Sequence, residues 1–136
     1  MGELFFIYEI TTEKPEQTLY TVLETNKGGN DVQFTSYLQD GKLTVALTGE
    51  IDHHRAKGYI QTIAGKIEAY NPNVCVLDFQ DVTFMDSSGI AVVINALRCM
   101  ARIEGKLELS GIGRQPMKVF RTSGIDKIVE IREGVL

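Results

Sequence analysis

The run Val74-Cys75-Val76-Leu77-Asp78-Phe79 narrows the fold more than any other feature of the chain. So short a span of almost unbroken apolar residues predicts a strand covered on both faces, as at the centre of an α/β sheet. Downstream, Ile90, Val93, Ile94, Leu97, Met100 and Ala101 recur at three- and four-residue steps, the period of a helix stripe turned to a core. Residues 106–109 then read as a further strand. Strand, helix, strand in that order predicts a right-handed crossover between parallel neighbours.

The flanking segments extend this unit. Residues 33–39 and 42–48 are strand-like runs on either side of Asp40-Gly41, a pair that favours a two-residue hairpin turn. Within the second run, Leu43, Val45 and Leu47 alternate with Thr44, Ala46 and Thr48, and the strand is expected to end at Gly49. Ala56, Tyr59, Ile60, Ile63, Ala64 and Ile67 mark one face of a helix that Asn71-Pro72 closes. Pro116 suits the first turn of a short third helix carrying Met117 and Phe120, with Gly124 as its stop and a last strand near 128–131. The expectation is an α/β domain with a mixed sheet of about four to six strands and three or more helices packed on it.

That domain is assigned to residues 32–136, with residues 1–31 as an appendage. Two β-rich pieces, 3–10 and 18–24, flank Lys14-Pro15-Glu16, and Asn26-Lys27-Gly28-Gly29-Asn30 follows as a linker. A hairpin added to the sheet edge and a segment exchanged between subunits both fit.

Composition removes several functional classes. A net charge of -4 argues against the clustered Lys and Arg of a nucleic-acid surface. Cys75 and Cys99 are too few for a disulfide framework and form no C-x-x-C pair, so reduced thiols are expected. No apolar stretch approaches the roughly 20 residues of a membrane span, and Phe6 stands where a myristoylation motif needs Ser or Thr. A cytoplasmic chain is expected. No glycine-rich phosphate loop of recognised spacing is present, and no cofactor is expected.

Asp86-Ser87-Ser88-Gly89 lies between the central strand and its helix, the usual place for a site in a parallel α/β unit. Asp86, Ser87 and Ser88 are all capable of capping the helix start, and Ser88 is the residue expected to do so. Three such residues exceed what one terminus needs, so a hydroxyl is left over as a candidate phosphorylation site, favoured by free N–H groups and the helix dipole. The second candidate segment is Thr48-Gly49-Glu50-Ile51-Asp52-His53-His54, with Asp52 as the expected N-cap of the following helix. Adjacent histidines invite a metal or phosphoesterase reading, but a chain with 2 His lacks the remaining ligands, and exposed first-turn histidines are expected instead.

With both segments read, the chain resembles the bacterial anti-sigma factor antagonists of the STAS domain class. The resemblance rests on Leu47 through His54, on Val76-Leu77-Asp78-Phe79, on Val82-Thr83-Phe84-Met85-Asp86-Ser87-Ser88-Gly89-Ile90, and on Val119-Phe120 with Ser123-Gly124-Ile125. It implies a binding module without catalytic residues: the unphosphorylated form binds an anti-sigma factor that is also a serine protein kinase, releasing a sigma factor. Phosphorylation by that kinase ends the contact and a serine phosphatase restores it. By this resemblance the acceptor is Ser87, and Asp52, Asp86, Ser88 and Gly89 belong to the partner-binding surface.

Two departures stand out. Ala91 replaces a second glycine found in many relatives, which stiffens the helix start. The matched region also stops soon after Ile131 without the final helix common in the family, and the N-terminal segment is expected to cover the sheet in its place. Two other readings are a STAS scaffold in another pathway and a serine hydrolase using Ser87 or Ser88 with His53 or His54 and Asp52. The hydrolase lacks a G-x-S-x-G elbow.

Overall fold

The computed structural model describes residues 3–11, 18–26 and 32–132, the first two segments by their backbone. In chain order the elements are β1 (Glu3–Thr11), β2 (Thr18–Asn26), β3 (Gln33–Gln39), β4 (Lys42–Ile51), α1 (His53–Tyr70), β5 (Val74–Met85), α2 (Ser88–Arg102), β6 (Lys106–Ser110), α3 (Arg114–Ser123), a 3₁₀ turn (Ile125–Lys127) and β7 (Glu130–Arg132). The Lys14-Pro15-Glu16 segment, linker residues 27–30 and the residues after Arg132 lie outside the described part.

The strands form one seven-stranded mixed sheet in sequential order. β1 through β4 pair antiparallel, and β4 through β7 pair parallel. Residues 32–132 contribute five strands, within the expected four to six, and β1 and β2 of the N-terminal segment continue the sheet beyond β3. These strands pair edge to edge, so they lengthen the sheet instead of covering a face as a final helix would.

Local chemistry accounts for the joints. Asp40 and Gly41 both have positive φ, 51° and 77°, the requirement of the primed turn that suits a right-twisted hairpin. Asn71 caps α1 in the left-handed region at φ 47°, and Gly124 does the same for α3 at φ 80°.

Alternation in β4 turns Leu43, Val45 and Leu47 to the helices, and Cys75, Leu77 and Phe79 of β5 lie beside them, all buried. Helix α1 covers this layer with Ala56, Tyr59, Ile63 and Ile67. The α2 stripe differs from the sequence expectation: Val92, Val93, Ala96 and Met100 are buried, Ile90, Ile94 and Leu97 are half-buried, and Ala101 is exposed. The helix packs against both the sheet and α1, so its apolar surface spans two adjoining faces and the sheet-facing line is rotated from the one read by period. Lys66, on α1, is also buried, with its ammonium 5.4 Å from the Phe34 ring centre and 5.8 Å from that of Tyr70.

The chief departure from expectation is the length of β5. The strand does not stop at Phe79 but runs to Met85. Its register against β4 slips twice, between Ala46 and Thr48 and between Gly49 and Glu50. From Ala46/Asp78 to Glu50/Phe84, β4 advances four residues while β5 advances six. Such bulges break the two-residue alternation, which is why the apolar run ends at Phe79 while the strand continues, and they re-aim the strand end.

Candidate functional site

Parallel pairing brings the two segments singled out by sequence together. Ile51 and Met85 are partners at the last rung of β4 and β5, so Asp52 and Asp86 leave neighbouring strands at the same level. The Asp86 amide then donates to the Ile51 carbonyl at 3.1 Å, fastening one turn to the other.

Asp52 is the N-cap of α1, as expected. Its backbone is extended and its Oδ1 accepts from the Arg55 amide at 2.9 Å. The Arg55 guanidinium also lies 3.3 Å from Asp52 Oδ2 and 3.7 Å from a Glu50 oxygen. These partly exposed pairs contribute little stability, but they set the orientation of the Asp52 carboxylate. His53 and His54 are exposed on the first turn of α1, and among the described residues no group of three metal-ligating side chains is assembled.

The start of α2 corrects the capping expectation. Asp86, not Ser88, satisfies the helix entry: its Oδ1 accepts from the Ser88 amide at 2.8 Å. Ser88 is the first helical residue and Ser87 occupies the N-cap position. Ser87 has αR backbone geometry, and its hydroxyl makes no capping hydrogen bond. An aspartate two residues before the accepted amide forms a closed local turn more readily than a serine that is already helical. Ser87 is exposed, whereas Asp86 and Ser88 are half-buried and Gly89 is buried.

Gly89 is there because nothing larger fits. A β-carbon at this position would run into Sδ and Cγ of Met85, a fully buried side chain. The exposed Phe84 ring, 43% accessible, lies one residue before Met85 on the same rim.

Tyr59 ties α1 to β4, its hydroxyl donating to the Thr48 carbonyl at 2.7 Å. Burial raises its pKa.

Sequence reasoning missed Gln115, on the first turn of α3. Its Oε1 accepts from the Met85 amide at 2.8 Å and its Nε2 donates to the Met85 carbonyl at 2.6 Å. It also missed Arg55, although an arginine three residues after an N-cap aspartate was a legible signal.

A mixed sheet backed by helices, with a serine exposed at the end of a central parallel strand, defines a small α/β domain with a loop-borne site. The chain belongs to the STAS domain family, whose profile matches residues 33–135. It is 28% identical over 94 residues to the anti-sigma F factor antagonist of Paenibacillus polymyxa, covering 69% of this chain and 80% of that one. Among solved structures, the anti-sigma factor antagonist SpoIIAA in its unphosphorylated form superposes with a TM-score of 0.61 at 26% identity, covering 69% of this chain and 80% of that one. The Bacillus cell fate determinant SpoIIAA in the phosphorylated form shares the fold, with a TM-score of 0.60, 24% identity, and 75% and 91% coverage. No helix among the described residues is long and apolar enough to cross a membrane.

Proposed function

We propose that this chain is an anti-sigma factor antagonist whose unmodified form binds an anti-sigma factor and is switched off by phosphorylation of Ser87. The observation that carries the reading is the uncommitted, exposed hydroxyl of Ser87, flanked by an aspartate and a serine that are bonded into the helix entry. The curated relatives named as anti-sigma factor antagonists support the choice of partner class.

The chemistry asks little of this protein. Ser87 Oγ attacks the γ-phosphorus of ATP held by the partner kinase, a new O–P bond forms and the bond to ADP breaks. The hydroxyl proton passes to a base of the kinase. A serine phosphatase reverses the modification by hydrolysis.

The added group brings about -1.5 to -2 charges to a rim that already carries Asp86 and Asp52. A partner surface matched to the unmodified rim then meets concentrated negative charge. Moving occupancy from 99:1 to 1:99 takes about 5.5 kcal/mol of differential affinity. Asp52, Asp86, Ser88 and Gly89 form the contact surface in this reading. Among the described residues no hydrogen bond joins Ser87 to His53 or His54, so the hydrolase reading gains no support from the geometry.

The test is incubation with ATP and the serine kinase anti-sigma factor of the same genome, followed by peptide mass spectrometry and a binding assay. Phosphate on Ser87, loss of modification in Ser87→Ala, and weak binding by Ser87→Asp are expected. Unmodified Ser87, or Ser87→Asp that binds as tightly as the wild type, would sink the proposal.

A further inference from the structure

Met85 sits where β5 has outrun its neighbour. The β5–β6 ladder ends at Asp78/Ser110, so the rest of β5 has lost its strand partner on that side. On the other side it still has β4, through to Ile51/Met85. A residue's amide and carbonyl leave an extended strand toward the same side, and buried ones left unpaired are costly. Gln115 fills that gap, accepting from Met85 N at 2.8 Å and donating to Met85 O at 2.6 Å. Its carboxamide stands in for one residue of an absent strand.

We propose that Gln115 is a positioning residue for the Ser87 loop, holding β5 in the one register that presents the hydroxyl to a partner. The inference rests on the reading of Ser87 as acceptor, and three features place the pair where it matters. Met85 is one residue before Asp86, whose carboxylate forms the helix entry and whose amide is tied to Ile51. The Met85 side chain is wedged against Gly89 in the first turn of α2. The stretch of β5 leading to it contains two register shifts against β4, which re-aim its end, and beyond Asp78 it has a strand partner on that one side only. Gln115 therefore supplies the second edge at Met85, through side-chain bonds spanning thirty residues of sequence.

The anchor of α3 is independent of this pair. Phe120 packs edge-on against Phe79, with ring centres 5.5 Å apart and an interplanar angle of 87°. Loss of the Gln115 amide should therefore leave α3 docked and release only the end of β5.

The experiment compares wild type with Gln115→Met, which keeps length and removes both bonds, and Gln115→Glu, which keeps the acceptor and opposes the Met85 carbonyl with a second oxygen. Lys118→Met, on an exposed position of α3, serves as control. Two readouts are taken: amide hydrogen exchange at Met85, Ser87 and Ser88, and the kcat and KM of phosphorylation by the partner kinase. The expected result for Gln115→Met is exchange at least tenfold faster at Met85, with unchanged protection in the Leu43–Leu47 core. Its kcat should fall about tenfold to a hundredfold while KM moves little, the pattern of a misplaced nucleophile. Gln115→Glu should fall between, because the bond to the Met85 amide survives. Lys118→Met should match wild type.

Unchanged exchange at Met85 in Gln115→Met, or faster exchange with unchanged kcat, overturns the proposal. A Gln115→Met protein that unfolds is answered by Gln115→Glu, for which wild-type exchange and kcat would overturn it equally. If the wild type itself is not phosphorylated, the acceptor reading fails, and the exchange measurement still decides whether Gln115 holds the strand end.

Discussion

The thioether of Met85 occupies the space a β-carbon on Gly89 would need. The strand end and the helix start are thereby packed without a gap, and the packing fixes the turn that carries Ser87. In Gly89→Ala two effects oppose each other. Helix propensity favours alanine by up to about 1 kcal/mol. Overpacking a fully buried site costs about 1–3 kcal/mol. Because the Met85 side chain is fully buried, it has little freedom to move aside, and the second effect wins. Gly89→Ala should be less stable by about 1–2 kcal/mol, read from the shift in urea midpoint at unchanged slope.

Asp52 combines a cap with a charge, and two substitutions separate them. Asp52→Asn keeps an oxygen for the Arg55 amide and should change stability by only a few tenths of a kcal/mol, whereas Asp52→Ala should cost about 1 kcal/mol. If Asp52 also contacts the partner, Asp52→Asn will bind the anti-sigma factor more weakly than wild type while melting at the same temperature. Equal binding by the two proteins would reduce Asp52 to a cap.

Gly111 lies at the exit of β6, with φ 65°. An added β-carbon there would meet Asp78 Oδ1 at 2.5 Å and the Gln80 amide nitrogen at 2.9 Å. That amide is itself bonded to Asp78 Oδ1 at 2.9 Å. The close approach brings the start of α3 against β5. Gly111→Ala should lose about 2–4 kcal/mol from backbone strain and overpacking together. Thermal melting gives the first readout, and exchange at Met85 should accelerate as well, since α3 must lift to admit the methyl group.

High pH should destabilise this protein through two buried groups. Burial pushes the Cys75 thiol up to about 12 from 9.0, with the nearby Cys99 adding to the shift, and burial also raises Tyr59 above 10.0. A folded-state pKa above the unfolded one means that the unfolded chain releases its proton first. Stability is therefore flat below about pH 9 and falls as pH climbs from about 9 toward 12. Cys75→Ala should flatten the early part of that fall, and adding Tyr59→Phe the part above pH 10. A wild-type unfolding free energy that held constant from pH 8 to 11 would contradict both assignments.

Where side-chain periodicity reports burial directly, the elements were legible from sequence. Leu43, Val45 and Leu47 face the core as their alternation requires, Asp40-Gly41 makes its turn, and Asp52 caps α1. The reading failed where geometry is set by a neighbour. Two extra residues in β5 break the alternation that would have extended the strand reading from Phe79 to Met85. The choice between Asp86 and Ser88 as cap depended on where the helix begins, which composition does not reveal. Gln115 could not have been found, since a glutamine before a proline signals nothing until α3 is docked beside Met85.

On the proposed reading of Ser87 as acceptor, the division of duties between Asp86 and Ser87 bears on how fast this molecule would be cycled. Since the carboxylate carries the helix entry, a group attached to Ser87 Oγ displaces no hydrogen bond that the turn depends on. The two chemical forms can then share one backbone, and passing between them requires no segment to melt and re-form. If Ser87 is the acceptor, the exchange rate is then expected to be set by the enzymes that add and remove the group.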